Sequence, residues 1–224
     1  MDQKVPSSAF HYGGQTIQSI LEDSTSGIGT TIGLLWFRRP IPAPFARFME
    51  LCLVIYADHP HNTTSPSPGT DLVSSVASDI LGMRGELDAA GMMLLDAVDQ
   101  VSPEKLVSNR SVPIPGLVHC DSPPDSRLQI IQSYMQHHCT TTRYLSYFRE
   151  VEAITMSHKD TRMLQVDGLV AASMLDWMVT CISLPEIRRL VKSGVLTGLF
   201  LVSRTIGAVG RQIPRVETSH HVKC

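Results

Sequence analysis

The second half of the chain is a nearly unbroken succession of helical segments, and this pattern constrains the fold more than any other feature. Apolar residues recur there at the i, i+3 and i+4 spacing of amphipathic helices, and few segments anywhere alternate as strands do. The sequence therefore predicts an all-α protein. The helices predicted in this half are 127–138, 143–158, 166–181, 184–192 and 196–211.

The first half has shorter helical segments with irregular stretches between them. The clearest helix is predicted from Pro44 to Ala57, where aromatic and aliphatic residues follow helical spacing. Asp71 resembles a helix N-cap, and Pro103 occupies the first position of another predicted helix. The other elements predicted here are a short helix at 15–22, an apolar element at 32–37 and a helix at 86–98.

Three stretches are predicted to be loops. Residues 24–31 are rich in Gly, Ser and Thr, whereas the regions around 57–70 and 112–124 are rich in Pro and cannot be continuous helix. The chain ends are polar. We expect a flexible N-terminus at 1–14, a single domain at 15–212 and a disordered tail at 213–224.

Composition and charge exclude several classes of partner. The net charge of -2 gives no electrostatic reason to expect nucleic acid or a membrane surface. Charged residues make up 18% of the chain, less than the usual quarter, so part of the surface is expected to be covered by a subunit partner.

The five cysteines lie far apart, and their spacing matches neither a disulfide framework nor a zinc site. We therefore expect no metal and a reducing compartment. The N-terminus has no signal-peptide core, and the longest apolar run, 195–202, is too short to span a bilayer. The predicted location is the cytoplasm.

Asp167 is a single carboxylate within the apolar stretch from Leu164 to Val170, with Gly168 beside it. Burying an unpaired carboxylate is costly, so the group must be neutralised, paired or used. Taken alone, the pattern favours an N-cap at the start of the helix predicted at 166–181. The alternative is a catalytic base whose pKa is tuned by its surroundings.

Two arginines are candidates for binding an anion. Arg204 lies in an apolar helix among small residues, where its guanidinium fork needs an anionic partner. That partner is either a substrate carboxylate or an acidic side chain of a neighbouring helix, such as Asp176. Arg127 has the same two interpretations and is expected to be exposed.

Two histidines lie in the proline-rich loops. His59 follows the predicted helix 44–57, where the helix dipole alone would favour it, and with His61 it makes a poor metal pair. His119 is either a surface residue or part of a site built on loops. The chain has no dinucleotide-binding or Walker A glycine motif and no GxSxG, so phosphate cradling and acyl-serine chemistry are not indicated.

Several short motifs, taken in order, resemble the C-terminal citrate-synthase-homology domain of ATP-citrate lyase. Each motif is weak alone, but so many in one order over about 15–211 argue for common ancestry. The motifs are Gly27-Ile28-Gly29 with Gly33-Leu34-Leu35-Trp36-Phe37, Met49-Glu50-Leu51-Cys52-Leu53 with Ala57-Asp58-His59, Asp71-Leu72-Val73-Ser74-Ser75, Leu87-Asp88-Ala89-Ala90, Val151-Glu152-Ala153-Ile154-Thr155, Val166-Asp167-Gly168-Leu169 and Arg204-Thr205-Ile206-Gly207.

The resemblance implies a citrate-synthase-like helical fold, a two-fold homodimer and a set of site residues. At the matching positions Asp167 would be the general base, and His59 and His119 would donate hydrogen bonds to a carbonyl or enolate oxygen. Arg204, and less directly Arg127, would hold substrate carboxylates.

The chain departs from the family pattern where coenzyme A is expected to bind. In the family a Lys-rich segment precedes the histidine that corresponds to His119, and here that segment is replaced by residues 109–115. Cys120 stands where the family has an arginine directly after that histidine. The loop after His59 is shortened to 60–63, and 83–88 is two residues short of the family's DRFGGALD. Because the phosphates of coenzyme A need basic residues and backbone amides, we expect no cofactor, with coenzyme A as the disfavoured alternative.

Together these inferences predict an enzyme that makes or breaks carbon–carbon bonds by aldol, retro-aldol, enolisation or cyclisation chemistry. Its substrate would be a small carboxylated or carbonyl compound without coenzyme A, in a specialised biosynthetic pathway. The alternatives are a citryl-CoA lyase or citrate-synthase-type enzyme, and a non-catalytic dimerising homologue. No ATP-dependent step is expected, because the lyase's nucleotide-binding modules have no counterpart in the sequence.

Overall fold

The computed structural model describes residues 11–12, 14–23, 26–57, 74, 86–108, 113–119, 125–157 and 162–212. This part of the chain is mostly helical, which confirms the all-α prediction. The helices are α1 (Ile17–Glu22), α2 (Ile28–Phe37), α3 (Ala43–Ala57), α4 (Glu86–Ala97), α5 (Pro103–Ser108), α6 (Ser126–His138), α7 (Arg143–Ser157), α8 (Val166–Met178), α9 (Leu184–Lys192) and α10 (Val195–Gln212). The strands are β1 (His11–Tyr12), β2 (Gln15–Thr16), β3 (Leu117–His119) and β4 (Arg162–Leu164).

The observed helices follow the predicted segments closely in the second half of the chain. α9 has the predicted bounds, α6 begins one residue earlier and α7 ends one residue earlier than predicted. α8 ends at Met178 rather than Cys181, because the amides of Thr180 and Cys181 bond to the carbonyls three residues back, at Trp177 and Met178, which tightens the chain into turns. The N-cap predicted at Asp71 lies outside the described residues.

Helix α2 begins at Ile28, within the stretch that was predicted to be a loop. Glu50 on α3 explains this start, because its Oε1 accepts a hydrogen bond of 3.1 Å from the Gly29 amide in the first turn of α2. The two helices also approach closely here: a Cβ on Gly29 would lie 2.7 Å from the carbonyl carbon of Ala46. The Glu50 carboxylate and the close packing at Gly29 thus stabilise a helix whose first residues have weak helical propensity.

Helices α3 and α10 form a close pair in the core. The Ser203 hydroxyl on α10 donates a hydrogen bond to the Leu53 carbonyl on α3. One turn later, a Cβ on Gly207 would lie 2.7 Å from the carbonyl carbon of Ala57. The small residues at i and i+4 of α10 therefore bring its backbone against the last turn of α3.

Helix α8 is buried on all sides and packs against α4, α6 and α7. Every residue from Gly168 to Met178 is buried, so the helix has no polar face. Within it, the fully buried Asp176 accepts hydrogen bonds from the amides of Tyr144 (2.9 Å) and Leu145 (3.0 Å) at the start of α7. Asp176 therefore satisfies N-terminal amides of a neighbouring helix.

Burial raises the pKa of Asp176 from its ordinary value to about 6, although the amides at the start of α7 act in the opposite direction. Since the folded-state pKa lies above the unfolded-state pKa, the folded protein binds more protons between about pH 4 and pH 6, and stability falls as pH rises through that window. Between about pH 4 and pH 6 we expect the free energy of unfolding of wild type to fall by about 3 kcal/mol relative to that of Asp176→Asn. Urea unfolding of both proteins from about pH 4 to pH 7 measures this, and a constant difference would contradict it.

Two small antiparallel ladders lie among the helices. β1 pairs with β2, and β3 pairs with β4, with Leu117 opposite Leu164 and His119 opposite Arg162. β3 falls within the region around 112–124 that was predicted to be irregular. Its partner lies more than 40 residues later in the sequence, so the short run 117–119 gives no local strand pattern.

Neither a membrane-spanning helix nor a metal-binding cluster is found in the described part of the chain. No single helix there is long and apolar enough to cross a membrane; α9 and α10, bent by 51° at their junction, meet the length and composition criterion only as a pair. Those residues also contain no group of three or more His, Cys, Asp or Glu side chains that could hold a metal ion.

Candidate active site

The residue before strand β3, Gly116, meets the Val166-Asp167-Gly168-Leu169 motif at a glycine-to-glycine contact in the first turn of α8. Gly116 has a φ of +85°, and a Cβ on it would lie 2.6 Å from the Gly168 Cα. In return, a Cβ on Gly168 would lie 2.6 Å from the Gly116 carbonyl oxygen, which already accepts a hydrogen bond of 2.9 Å from the Gln165 amide. Only glycine allows both the backbone angle and the contact. The strand that carries His119 is thereby held against the start of α8, which carries Asp167.

The segment that leads to Asp167 is also held from α7. Glu152 is buried, and its Oε1 accepts a hydrogen bond of 2.7 Å from the Leu164 amide. The Thr155 hydroxyl donates to the carbonyl of Arg162 at 3.1 Å. The motif at 151–155 therefore fixes β4 in front of α8.

The N-cap prediction for Asp167 is wrong. Helix α8 begins at Val166 with Gln165 as its N-cap, so Asp167 occupies the second helical position. A carboxylate in the first turn is still favoured by the helix dipole, but it does not close the helix end. The half-buried Asp167 side chain is instead oriented by a residue from another helix.

Tyr56 on α3 makes this contact. Its hydroxyl donates a hydrogen bond of 2.8 Å to Asp167 Oδ1, and its ring packs edge to face on Phe200 of α10, with 5.0 Å between the ring centroids. The side chain is 1% exposed. Burial first, and then the charge of Asp167, raise the pKa of Tyr56 well above its ordinary value, so the phenol stays a neutral donor. Sequence reasoning missed Tyr56, although it directly precedes Ala57-Asp58-His59.

Arg127 on α6 lies beside this pair, and its side chain is only 20% exposed, so the prediction of an exposed residue is wrong. Its guanidinium forms an ion pair with Asp125, and its Nη1 donates a hydrogen bond of 3.4 Å to the Ile55 carbonyl. The hydrogen bond with Asp125 is the main cause that raises the pKa of Arg127, and the charges of Tyr56 and Asp167 add to it. The group formed by Tyr56, Arg127 and Asp167 therefore joins α3, α6 and α8.

Arg204 on α10 is 3% exposed, as expected for an arginine within an apolar helix. It lies one turn after Phe200, the residue that packs on Tyr56. Asp176, the acidic partner suggested by the sequence, has both carboxylate oxygens engaged with the amides that begin α7. The assignment of Arg204 to a substrate carboxylate stays a prediction.

Of the two predicted histidines, the structure describes His119, which lies on β3. His119 is exposed and lies opposite Arg162, five residues before Asp167, whereas the other end of β3, at Leu117, is nearer to the start of α8. Because each strand residue advances about 3.3 Å, His119 is farther along the ladder from Asp167 than Leu117 is. His59 lies outside the described residues, two positions after the end of α3. The roles of both histidines stay predictions.

The fold and motif order are matched by known proteins, although no protein-family model matches the chain. Human ATP-citrate synthase is 35% identical over 222 aligned residues, covering 90% of this chain and 20% of the human protein. The solved ATP citrate lyase of Methanothrix soehngenii, in complex with citrate and coenzyme A, superposes with a TM-score of 0.81 at 33% identity, over 93% of this chain and 37% of that one. This chain is homologous to the C-terminal citrate-synthase-like part of ATP-citrate lyase.

The homology confirms the predicted family and the citrate-synthase-like fold. The citryl-CoA lyase of Hydrogenobacter thermophilus has the same fold, with a TM-score of 0.69 at 20% identity over 88% of this chain and 78% of that one. The ATP-citrate synthase and ATP citrate lyase relatives are lyase-type enzymes, in agreement with the predicted enzyme class. The chain spans about a fifth of the human ATP-citrate synthase and about a third of the Methanothrix lyase.

The prediction of a function without coenzyme A is wrong. The solved ATP citrate lyases of Methanothrix soehngenii and Methanosaeta concilii, at 33% and 32% identity, are complexes with coenzyme A and with (3S)-citryl-CoA. The prediction rested on basic side chains that are missing from 109–115 and from position 120. Phosphates also bind to backbone amides and helix N-termini, which a side-chain pattern does not reveal, so the missing residues did not justify it.

Proposed function

We propose that this chain cleaves or forms a carbon–carbon bond in a citryl-CoA-type thioester. The observation that carries the proposal is the group at the start of α8, where Asp167 meets Tyr56 and lies near Arg127, in a chain homologous to ATP-citrate lyase. A half-buried carboxylate beside a neutral donor and a guanidinium is suited to move a proton next to a bound carboxylate substrate.

The proposed step begins at the hydroxyl that citryl-CoA bears on the carbon β to its thioester carbonyl. Asp167 takes the hydroxyl proton. The oxygen electrons form the ketone of oxaloacetate as the carbon–carbon bond breaks, and the electron pair of that bond passes into the thioester as an enolate. The proton then returns from Asp167 to the enolate carbon, which gives acetyl-CoA. The reverse sequence forms the bond.

The other predicted residues bind and orient the substrate in this scheme. His119 and His59 donate hydrogen bonds to the oxygens on which charge develops, as in an oxyanion hole. In this scheme the substrate would bridge the distance along β3 that separates His119 from the start of α8.

The donor set fits the acyl end of such a thioester. Arg127 and Arg204 supply two planar guanidinium groups for its carboxylates, from helices that both pack against α3. Coenzyme A supplies the thiol of the thioester, and the thioester carbonyl of the acyl group takes up the charge of the enolate. Asp167 moves the proton, and the burial of Arg204 reduces competition from water at the carboxylate it would bind.

Incubation of the chain with citryl-CoA, with acetyl-CoA and oxaloacetate as the measured products, tests the proposal. His119→Ala is expected to lower kcat by about 10²-fold or more, because one donor to the developing charge is lost. His137→Ala is the matched control, since this exposed α6 histidine bonds only to the Ser133 carbonyl of its own helix among the described residues. Wild-type protein that neither cleaves citryl-CoA nor binds coenzyme A in calorimetry would overturn the proposal.

We also propose that the protein is a cytoplasmic homodimer in a specialised biosynthetic pathway. The low charged fraction supports a covered surface, the widely spaced cysteines support a reducing compartment, and the rewritten segment 109–115 supports a specialised role. Sedimentation equilibrium measures the oligomeric state, and a monomer at micromolar concentration would contradict the dimer.

A further inference from the structure

Tyr56 contacts Asp167 although their positions in the sequence are 111 apart, and none of the proton-transfer steps above uses the Tyr56 hydroxyl. The hydrogen bond measures 2.8 Å, the tyrosine is 1% exposed, and Phe200 of α10 packs edge to face against its ring. The bond therefore joins α3 to the buried helix α8 at the residue that would do the chemistry.

We propose that Tyr56 is a positioning residue for Asp167. Its hydroxyl fixes the rotamer of the carboxylate and favours the ionised form, because a donated hydrogen bond stabilises a carboxylate more than a carboxylic acid. The inference rests on the proposed function, in which Asp167 is the base.

The surroundings of Asp167 explain why its carboxylate needs a hydrogen-bond donor to stay ionised. Partial burial disfavours the charged form of a carboxylate, while Tyr56 and the nearby charge of Arg127 favour it. Other titratable or charged side chains on the elements packed around this group include the buried Cys52 thiol on α3, Asp125 at the N-cap of α6, Glu152 on α7, Arg162 on β4, Arg204 on α10 and the exposed His119 on β3.

A hydrogen bond with a merely structural role would anchor α3 to α8 without setting the acid–base behaviour of the carboxylate. A positioning role therefore predicts a change in the pKa of Asp167 and in the pH profile of catalysis when the hydroxyl is removed. A structural role predicts only a loss of stability, which would leave both quantities unchanged.

Tyr56→Phe removes the hydroxyl and keeps the ring on Phe200. Tyr147→Phe is the matched control, because Tyr147 is also buried and donates a hydrogen bond of 3.0 Å, to the Val101 carbonyl. For both variants and wild type, kcat and KM for citryl-CoA are measured from about pH 4 to pH 9. The Asp167 carboxyl is titrated by ¹³C NMR without substrate, its signal being identified by its loss in Asp167→Asn.

In Tyr56→Phe we expect the pKa of Asp167 and the acid limb of the kcat/KM profile to rise by about one unit. We expect kcat to fall about tenfold with KM within about twofold, since the base is less well oriented. Tyr147→Phe should match wild type in each quantity.

An unchanged Asp167 pKa with an unchanged pH profile in Tyr56→Phe would overturn the inference while wild-type cleavage of citryl-CoA still stood. If wild type does not cleave citryl-CoA but the Asp167 pKa rises in Tyr56→Phe, the proposed function fails and the control of Asp167 by Tyr56 is supported.

Discussion

Replacing Asp167 by Asn is expected to lower the kcat of citryl-CoA cleavage by about 10²- to 10⁴-fold, the range that a positioned general base contributes. The amide keeps the size of the side chain and an oxygen that can accept the hydrogen bond from Tyr56, so the helices are expected to form normally. The variant loses the negative charge and with it the ability to take a proton. Turnover at saturating citryl-CoA measures the effect, and far-UV circular dichroism checks helicity.

Asp96→Asn is the matched control for this change. Asp96 is exposed and pairs with Arg188 at the surface, where such ion pairs contribute about 0–1 kcal/mol, so turnover should stay at the wild-type rate. Full turnover in Asp167→Asn would show that another group is the base. A biological output that survives Asp167→Asn without any turnover would favour the non-catalytic dimerising homologue instead.

The helices could be predicted because most of their information is local. Helix α9 has a proline in its first turn and helical spacing throughout, and its observed bounds are those predicted. The start of α2 was missed because the carboxylate that bonds to Gly29 comes from Glu50 on another helix. The strand at 117–119 was missed for the same kind of reason, since its partner at 162–164 lies far along the chain.

The sequence was sufficient to name candidate site residues, but not to predict which side chains contact one another. The sequence showed that a carboxylate at position 167 needs a partner, yet Tyr56 looked like one more aromatic on the apolar face of a helix. Arg127 was expected to be exposed, but Asp125 accepts hydrogen bonds from both the backbone amide and the side chain of Arg127. That pairing turns the guanidinium back toward the Ile55 carbonyl, which no local pattern predicts.

Gly207→Ala is expected to lower the free energy of unfolding by about 3 kcal/mol, the upper part of the usual range for overpacking. The added Cβ would lie 2.7 Å from the carbonyl carbon of Ala57, which is backbone and cannot rotate away. The two helices would have to separate, and the hydrogen bond from Ser203 to Leu53 would stretch with them. Urea unfolding followed by circular dichroism measures the loss, with an unchanged m value as the sign that stability alone has changed.

Gly210→Ala is the matched control on the same helix, three residues later. Gly210 is exposed and a Cβ on it would have no atom within 4 Å, so the higher helix propensity of alanine should raise the free energy of unfolding by up to about 1 kcal/mol. The same chemical change is therefore expected to have opposite signs at two positions of α10. If both variants were more stable than wild type, α10 would not lie against the last turn of α3. Arg204 would then no longer be held next to the helix that carries Tyr56 and leads to His59, and the carboxylate-binding role proposed for it would lose its structural support.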